Sequence, residues 1–314
     1  MIKTLANNIY IVMYHYVREI KNSKYPNLKG LEFSEFKNQI NYFKKNFNIL
    51  DNEQFCEILE LKKKIPKKNS ILLSFDDGYV DHYNYVFPYL KSNKLSGLFY
   101  PTVNIIKNNS ILDVNKIHFI LEKEQNRNKI INLIFYYLKK FSKIKTSSIN
   151  FSNVNLKSRW DDKKTVMVKR LLQFYLPKKL RNKIINKIFK KIIGIEEKQF
   201  SKKIYLNTSQ ILEMHKNSMI FGSHGCEHSW LEHLSKKKQS EDIINSIKYF
   251  KKLDIYNKNF SFCYPYGSFN KTTIKLLKEF KIKFALTTIK GSIKKKNIKN
   301  RFILPRIDTN DFKR

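Results

Sequence analysis

Short apolar runs separated by stretches of helical periodicity constrain this chain more than any other feature of its sequence. The runs are IYIVMYHYV (9–17), ILLSFDD (71–77), SGLFYPTVNI (96–105), SMIFGSH (218–224), NFSFCYPYG (259–267), FALTTI (284–289) and RFILPRID (301–308). Each has the length and character of a buried strand. Between them, Tyr83–Lys91 reads as a helix. So do SKKKQSEDIINSIKYFKKL, with Ser235 as its cap, and SFNKTTIKLLKEFK, with Ser268 or Asn270 as its cap. Strands that alternate with helices predict an α/β fold with a parallel sheet and crossover connections. In such folds chemistry gathers at the C-terminal ends of the strands.

The rhythm breaks between about Ser110 and Ile204. There KIHFILEKEQNRNKIINLIFYYLKKF and DDKKTVMVKRLLQFYLPKKLRNKIINKIFKKIIG both carry helical periodicity, and the second is strongly basic. The expectation is one domain over residues 1–314, interrupted by a helical insertion at about 110–204. The insertion's apolar faces would pack on the rest of the domain. A basic amphipathic helix also suits an anionic membrane surface, which is the second reading of this segment.

Lys and Arg number 62 against 26 Asp and Glu, a formal net charge of +36. Such a field attracts polyanions. Lys, Asn and Ile are abundant along the whole chain, however, so a general compositional bias is the plainer account of the charge, which then explains solubility and loose attraction rather than function. Binding of nucleic acid is disfavoured, because no recognised motif is present and aromatic residues are sparse among the basic ones. Cys56, Cys226 and Cys263 are odd in number and widely spaced, which argues against a disulfide framework or a zinc ribbon and for a reducing compartment. The opening MIKTLANNIYIVMYHYV is interrupted by Asn7, Asn8 and His15, unlike the apolar core of a leader peptide. No run reaches the ~18–20 apolar residues of a membrane span. These features predict a cytoplasmic protein, with peripheral attachment to a membrane as a further reading.

Three short stretches carry candidate chemistry. Asp76 and Asp77 end an apolar strand just before Gly78, which permits a sharp turn. On a regular strand their side chains point to opposite faces unless the turn re-aims one of them. Two buried, bare carboxylates would repel, and a divalent cation removes that conflict. A solvated acidic turn is the plain alternative. His224 and His228, in GSHGCEHSWL, are four apart. Gly222 and Gly225 favour a loop there, and a loop or a helix could bring both rings to one cation. Asp77 with the two histidines makes three protein ligands and leaves a position open, as in catalytic zinc sites. In FCYPYGSFN, Pro265 and Gly267 flank Tyr266, whose backbone N–H could face a developing oxyanion.

In order and content, Ser74-Phe75-Asp76-Asp77-Gly78, His224-x-x-x-His228 and Pro265-Tyr266-Gly267 together resemble the three motifs of the polysaccharide deacetylases. These carbohydrate esterases share the nodulation-type deacetylase domain. YHYV, VFPYLKSNKLSGLFYPT, YLNTSQILEM, FALTTIKG and LPRID extend the likeness over residues 9–107 and 204–309. The resemblance implies a distorted (β/α) barrel of about seven strands and a divalent metal, most often zinc, on Asp77, His224 and His228. It implies Asp76 as general base and removal of an acetyl group from an N-acetylated sugar or glycan precursor. The substrate expected is an acetylated carbohydrate on a lipid or nucleotide carrier, in surface polysaccharide synthesis.

Three departures from the family pattern qualify this. The Arg that many members carry at the start of the third motif is replaced by Ser261-Phe262-Cys263, and Arg306 is the candidate to reach Asp76 instead. No His follows His233, so the family's late histidine, its proposed general acid, has no counterpart. His15 could serve in that role, or Asp76 could return its proton, or His15 could simply be a packing residue. Gly225 stands where Ser or Thr is frequent. A catalytically silent barrel that binds a glycan or a partner is therefore the alternative. Asp81 is expected to brace its loop and Trp230 to pack beneath the histidine loop. Cys226 and Cys263 are expected to be small core residues, and His82, His118, His215 and His233 to lie at the surface or behind the site.

Overall fold

The computed structural model describes residues 7–143, 158 and 161–312. The first six residues, residues 144–157 and 159–160 of the expected insertion, and the last two lie outside the described residues. The chain forms two compact units. One comprises Met1–Glu19, Gly30–Asn109 and Lys202–Arg314, the other Ile20–Lys29 and Ser110–Ser201. The helical segment thus recruits ten residues from far upstream, which no periodicity in the sequence had marked.

The first unit holds the strands β1 (Ile9–Tyr14), β2 (Val17–Arg18), β3 (Leu31–Glu32), β4 (Asn48–Ile49), β5 (Ser70–Asp77), β6 (Leu98–Pro101), β7 (Ile220–Phe221), β8 (Phe262–Cys263), β9 (Ala285–Lys290) and β10 (Leu304–Asp308). Seven run in the order β7-β6-β5-β1-β10-β9-β8, all parallel. β4 pairs with the start of β5, and β2 with β3 in a separate ribbon. The two ends of the row meet at Ser223. Its N–H donates to the Ser261 carbonyl at 3.0 Å, and its own carbonyl accepts from Cys263 N–H at 2.8 Å. The sheet therefore curls into the expected barrel of seven strands.

Period-two alternation divides the apolar residues of these strands into two layers. Ile9, Ile11, Leu72, Leu98, Tyr100, Cys263, Leu286 and Leu304 share one cluster inside the barrel. Tyr10, Val12, Tyr14, Ile71, Leu73, Phe75, Phe99, Phe262 and Tyr264 join the apolar faces of the surrounding helices in the other. The helices begin at legible caps. Asp51 and Asn270 form capping boxes, and the Ser235 side chain accepts from Lys238 N–H. One expected strand is cut short. β6 ends at Pro101, where its pairing with β5 runs out at Asp77, and Val103–Asn108 is helical.

In the second unit, helices Asp113–Lys123, Arg127–Phe141, Lys163–Arg170 and Lys178–Ile193 bury Ile117, Ile120, Ile130, Ile134, Val166, Val168, Ile184 and Ile188. The long basic pattern is interrupted at Leu176-Pro177, since proline lacks the N–H that a helix interior needs. Among the described residues no helix is long and apolar enough to cross a membrane.

Candidate active site

Parity along β5 explains why two adjacent carboxylates meet in one place. Leu72 faces the barrel interior and Phe75 the helices, so Asp76 points inward and Asp77 by alternation should point outward. Asp77 instead adopts φ 67°, left-handed backbone that a non-glycine residue takes only when its surroundings impose it. That turn brings Asp77 to the mouth of the barrel beside Asp76. Gly78 continues it at φ 74°, where an added Cβ would lie 2.5 Å from the Pro101 side chain. His228 (φ 50°) and Tyr266 (φ 58°) share the left-handed conformation. Strain of this kind concentrates at functional sites.

The histidine loop follows β7 and is fixed from several sides. Asp242, on helix Lys236–Lys252, accepts from the N–H groups of Cys226 and Glu227, both at 2.9 Å. The carbonyls of Gly225 and Cys226 in turn accept from Val103 and Asn104 at the start of their helix. Gly225, at φ 74°, leaves room for Asp242, since a Cβ there would lie 2.6 Å from Oδ1. Glycine at 225 is thus the residue this packing requires.

His224 Nδ1 lies 2.8 Å from the Cys263 carbonyl, which can only accept, so this nitrogen carries the proton and Nε2 is turned to Asp77. The Asp77 Oδ1 atom is 3.5 Å from His224 Nε2 and 3.3 Å from His228 Nε2. A tetrahedral ion with ligands at ~2.0–2.1 Å has ligand–ligand edges of ~3.3–3.4 Å. The two edges from Asp77 thus have the spacing of such a site, and the ligand atoms of all three residues lie within 4.8 Å of one another. Among the described residues His228 Nδ1 is buried without a hydrogen-bond partner. These residues fit a divalent cation. Burial alone would raise the Asp77 carboxyl, but hydrogen bonds from His224 and His228 hold it well below the usual range. Burial keeps His228 below its ordinary value. For His224 burial is outweighed by Cys263 and Asp77, and the ring is raised.

Asp76 is held apart from that triad. Arg306, from β10, donates Nη1–H to Oδ1 at 2.8 Å and Nη2–H to Oδ2 at 2.7 Å. The rest of its fork reaches the Thr287 carbonyl and Ser74 Oγ. Burial of Asp76 works against its ionisation, yet the Arg306 charge and hydrogen bonds bring its pKa down to about 2. The Cys263 thiol donates to the same carboxylate at 3.5 Å. His15, just past β1, turns Nε2 toward Asp76 Oδ2 at 3.9 Å and stays partly open to solvent. Tyr266 stacks on Trp230 at 4.4 Å and meets the His228 ring edge-on at 4.5 Å. All seven candidate residues are therefore gathered at one end of the barrel.

Several contributors carried no individual mark in the sequence. Tyr79 donates its hydroxyl to Asp77 Oδ2 at 2.5 Å. Asp242 anchors the histidine loop from more than ten residues away. Cys263 is a core residue as expected, but its thiol and carbonyl both touch the site. Asp81 does brace its loop, through a two-pronged pair with Arg18 at 2.7 and 2.5 Å. His82 is fully buried behind β5 rather than at the surface, with Nε2–H donating to the His15 carbonyl at 2.9 Å.

A family model described as polysaccharide deacetylase matches residues 63–132 and 187–285, more than half of the 314 residues. Among solved structures, a Streptococcus pyogenes deacetylase, PplD, in complex with acetate is 18% identical. It superposes with a TM-score of 0.59 over 97% of this chain and 93% of that one. IcaB from Ammonifex degensii is 16% identical, with a TM-score of 0.57 over 96% and 91% of the two chains. A de-N-acetylase from Aggregatibacter actinomycetemcomitans is 17% identical, with a TM-score of 0.56 over 96% and 94%. At such identities the superpositions speak for the fold. No curated protein matches the chain.

Proposed function

This chain belongs to the polysaccharide deacetylase family, and from that premise we propose that it is a cation-dependent amide hydrolase that removes acetyl groups from an N-acetylated carbohydrate. The observation that carries the reading is the spacing of Asp77, His224 and His228, with the Asp76 carboxylate separately held beside them. Two imidazoles, one carboxylate and an open position suit zinc. A divalent cation held there supplies Lewis acidity, activating a water and polarising the acetyl carbonyl.

The chain's own residues do the rest. Asp76 orients the water and takes its proton as the water attacks the carbonyl carbon. Arg306 keeps that carboxylate ionised and fixes its plane. The Tyr266 N–H donates to the carbonyl oxygen as negative charge develops, a contribution of about 3–4 kcal/mol in comparable oxyanion holes. His15, 3.9 Å from Asp76, passes a proton to the departing nitrogen as the C–N bond breaks. Acetate and a free amino sugar result. Arg306 beside Asp76 supplies the brace that the third motif lacks, and this weighs against a silent barrel.

The excess of basic residues supports a substrate carried on a phosphate-bearing lipid or nucleotide, met in the cytoplasm or at an anionic membrane surface. The test is acetate release from acetylated sugar nucleotides, lipid-linked sugars and N-acetylated oligosaccharides. Release that disappears on chelation, returns with zinc and is absent in Asp76→Asn supports the reading. A protein that holds zinc yet releases no more acetate than Asp76→Asn would be the silent barrel.

A further inference from the structure

We propose that Tyr79 is a positioning residue that restricts Asp77 to a single metal-facing oxygen, a role that rests on the cation site proposed above. A carboxylate beside a cation can offer one oxygen or two. If Asp77 offered both, they would occupy two corners and close the position that a water must enter. Here the two oxygens have different employment. Oδ1 lies 3.3 and 3.5 Å from the two imidazole nitrogens, whereas Oδ2 accepts the Tyr79 hydroxyl at 2.5 Å. With its second oxygen engaged, the carboxylate cannot swing to present both.

The phenol itself is fixed. Tyr79 is 1% exposed, its ring stacks on Tyr16 at 4.0 Å with 27° between planes, and on its other side lies Tyr205 at 5.9 Å and 12°. The backbone around it is laced to the segment before helix Thr208–Lys216. Val80 N–H donates to the Ile204 carbonyl and Leu206 N–H to the Gly78 carbonyl, each at 2.9 Å. A rigid donor on a rigid strand end is what holds a metal-binding carboxylate in one orientation, and losing such a partner typically costs ~10–100-fold in metal affinity.

Zinc affinity of the full chain is measured by competition with a chromophoric chelator for the wild type, Tyr79→Phe and Asp77→Asn. X-ray absorption of the zinc-loaded forms reports the number of oxygen neighbours. Tyr79→Phe is expected to bind zinc ~10–100-fold more weakly and to gain an oxygen neighbour as Asp77 turns. A residue that only fills space would lower the melting temperature of the metal-free protein and leave both readouts where they were. Unchanged affinity and coordination in Tyr79→Phe, beside an Asp77→Asn that loses zinc, overturns the role of Tyr79 alone. Unchanged affinity in Asp77→Asn overturns the cation site and this role with it. Should Tyr79→Phe fail to fold, 3-fluorotyrosine placed at position 79 keeps the size and the donor. Its fluorine resonance is expected to shift when zinc is added to the protein, and a resonance that zinc does not move overturns the proposal.

Discussion

Arg306 sits at 2% exposure, a position no isolated guanidinium could hold, and Asp76 opposite it is buried to the same degree. Each charge makes the other tolerable, and Thr287 and Ser74 use donors that would otherwise go unpaired. Removing one partner should therefore do more harm than removing both. Arg306→Met is expected to lose ~3–5 kcal/mol of stability, read from denaturant unfolding, while the double change with Asp76→Asn recovers a large part of it. Asp76→Asn alone is expected to retain zinc within a few-fold and to lose acetate release by ~10²–10⁴. Equal loss of zinc and of activity would move Asp76 into the metal set instead. Asp76, Asp77, His224 and His228 were legible because each lies in a contiguous motif whose chemistry is local. Arg306 was legible from its place in LPRID on the last strand, once Ser261-Phe262-Cys263 offered no Arg. The hydroxyl of Tyr79 and the thiol of Cys263 were not, since their importance comes only from which atoms they meet across the fold.

At the scale of elements, β5 shows the same division. Its apolar residues and Gly78 were readable as a strand and a turn, but the left-handed Asp77 that re-aims a carboxylate has no sequence signature beyond the glycine that follows it. The overlong reading of 96–105 erred for a related reason, as pairing rather than composition decides where β6 stops. Gly225→Ala tests the histidine loop as a unit. It adds strain at φ 74° and pushes on Asp242, so zinc affinity is expected to fall ~10-fold or more while the barrel stays folded by circular dichroism. The turn after β5 gives a pH test. Burial lowers the His82 pKa from 6.5 to about 4, against its bond to the His15 carbonyl and the charges of Asp77 and Asp76, and in company with that of His15. The unfolded chain takes up this proton below pH 6.5, whereas the native state refuses it until near pH 4. Stability from this group is complete above pH 6.5 and declines by about 3 kcal/mol as pH falls through that window. His82→Gln, which keeps a donor for His15, is expected to flatten that part of the curve. A slope unchanged from wild type would assign the decline to other groups.

For the whole molecule, the candidate ligands come from one of the two compact units, at the ends of segments that are remote in sequence. Asp77 closes β5, and His224 and His228 follow β7 nearly 150 residues later. A cation joining them cross-links strands on the barrel's functional end, and because the unfolded chain cannot present these groups together, binding must appear as stability. Zinc at a hundred times its dissociation constant is expected to stabilise the barrel by about 2.7 kcal/mol. For a folding unit of this size that moves the melting temperature by ~5–11 °C. A transition belonging to Ser110–Ser201 should not move, because none of the ligands lies there. Scanning calorimetry of the full chain, metal-free and at rising zinc, reads both. The shift should reverse with chelator, vanish in Asp77→Asn and survive in Asp76→Asn, since only the former removes a ligand. A shift of equal size in Asp77→Asn would mean that zinc stabilises the protein from somewhere other than the barrel mouth.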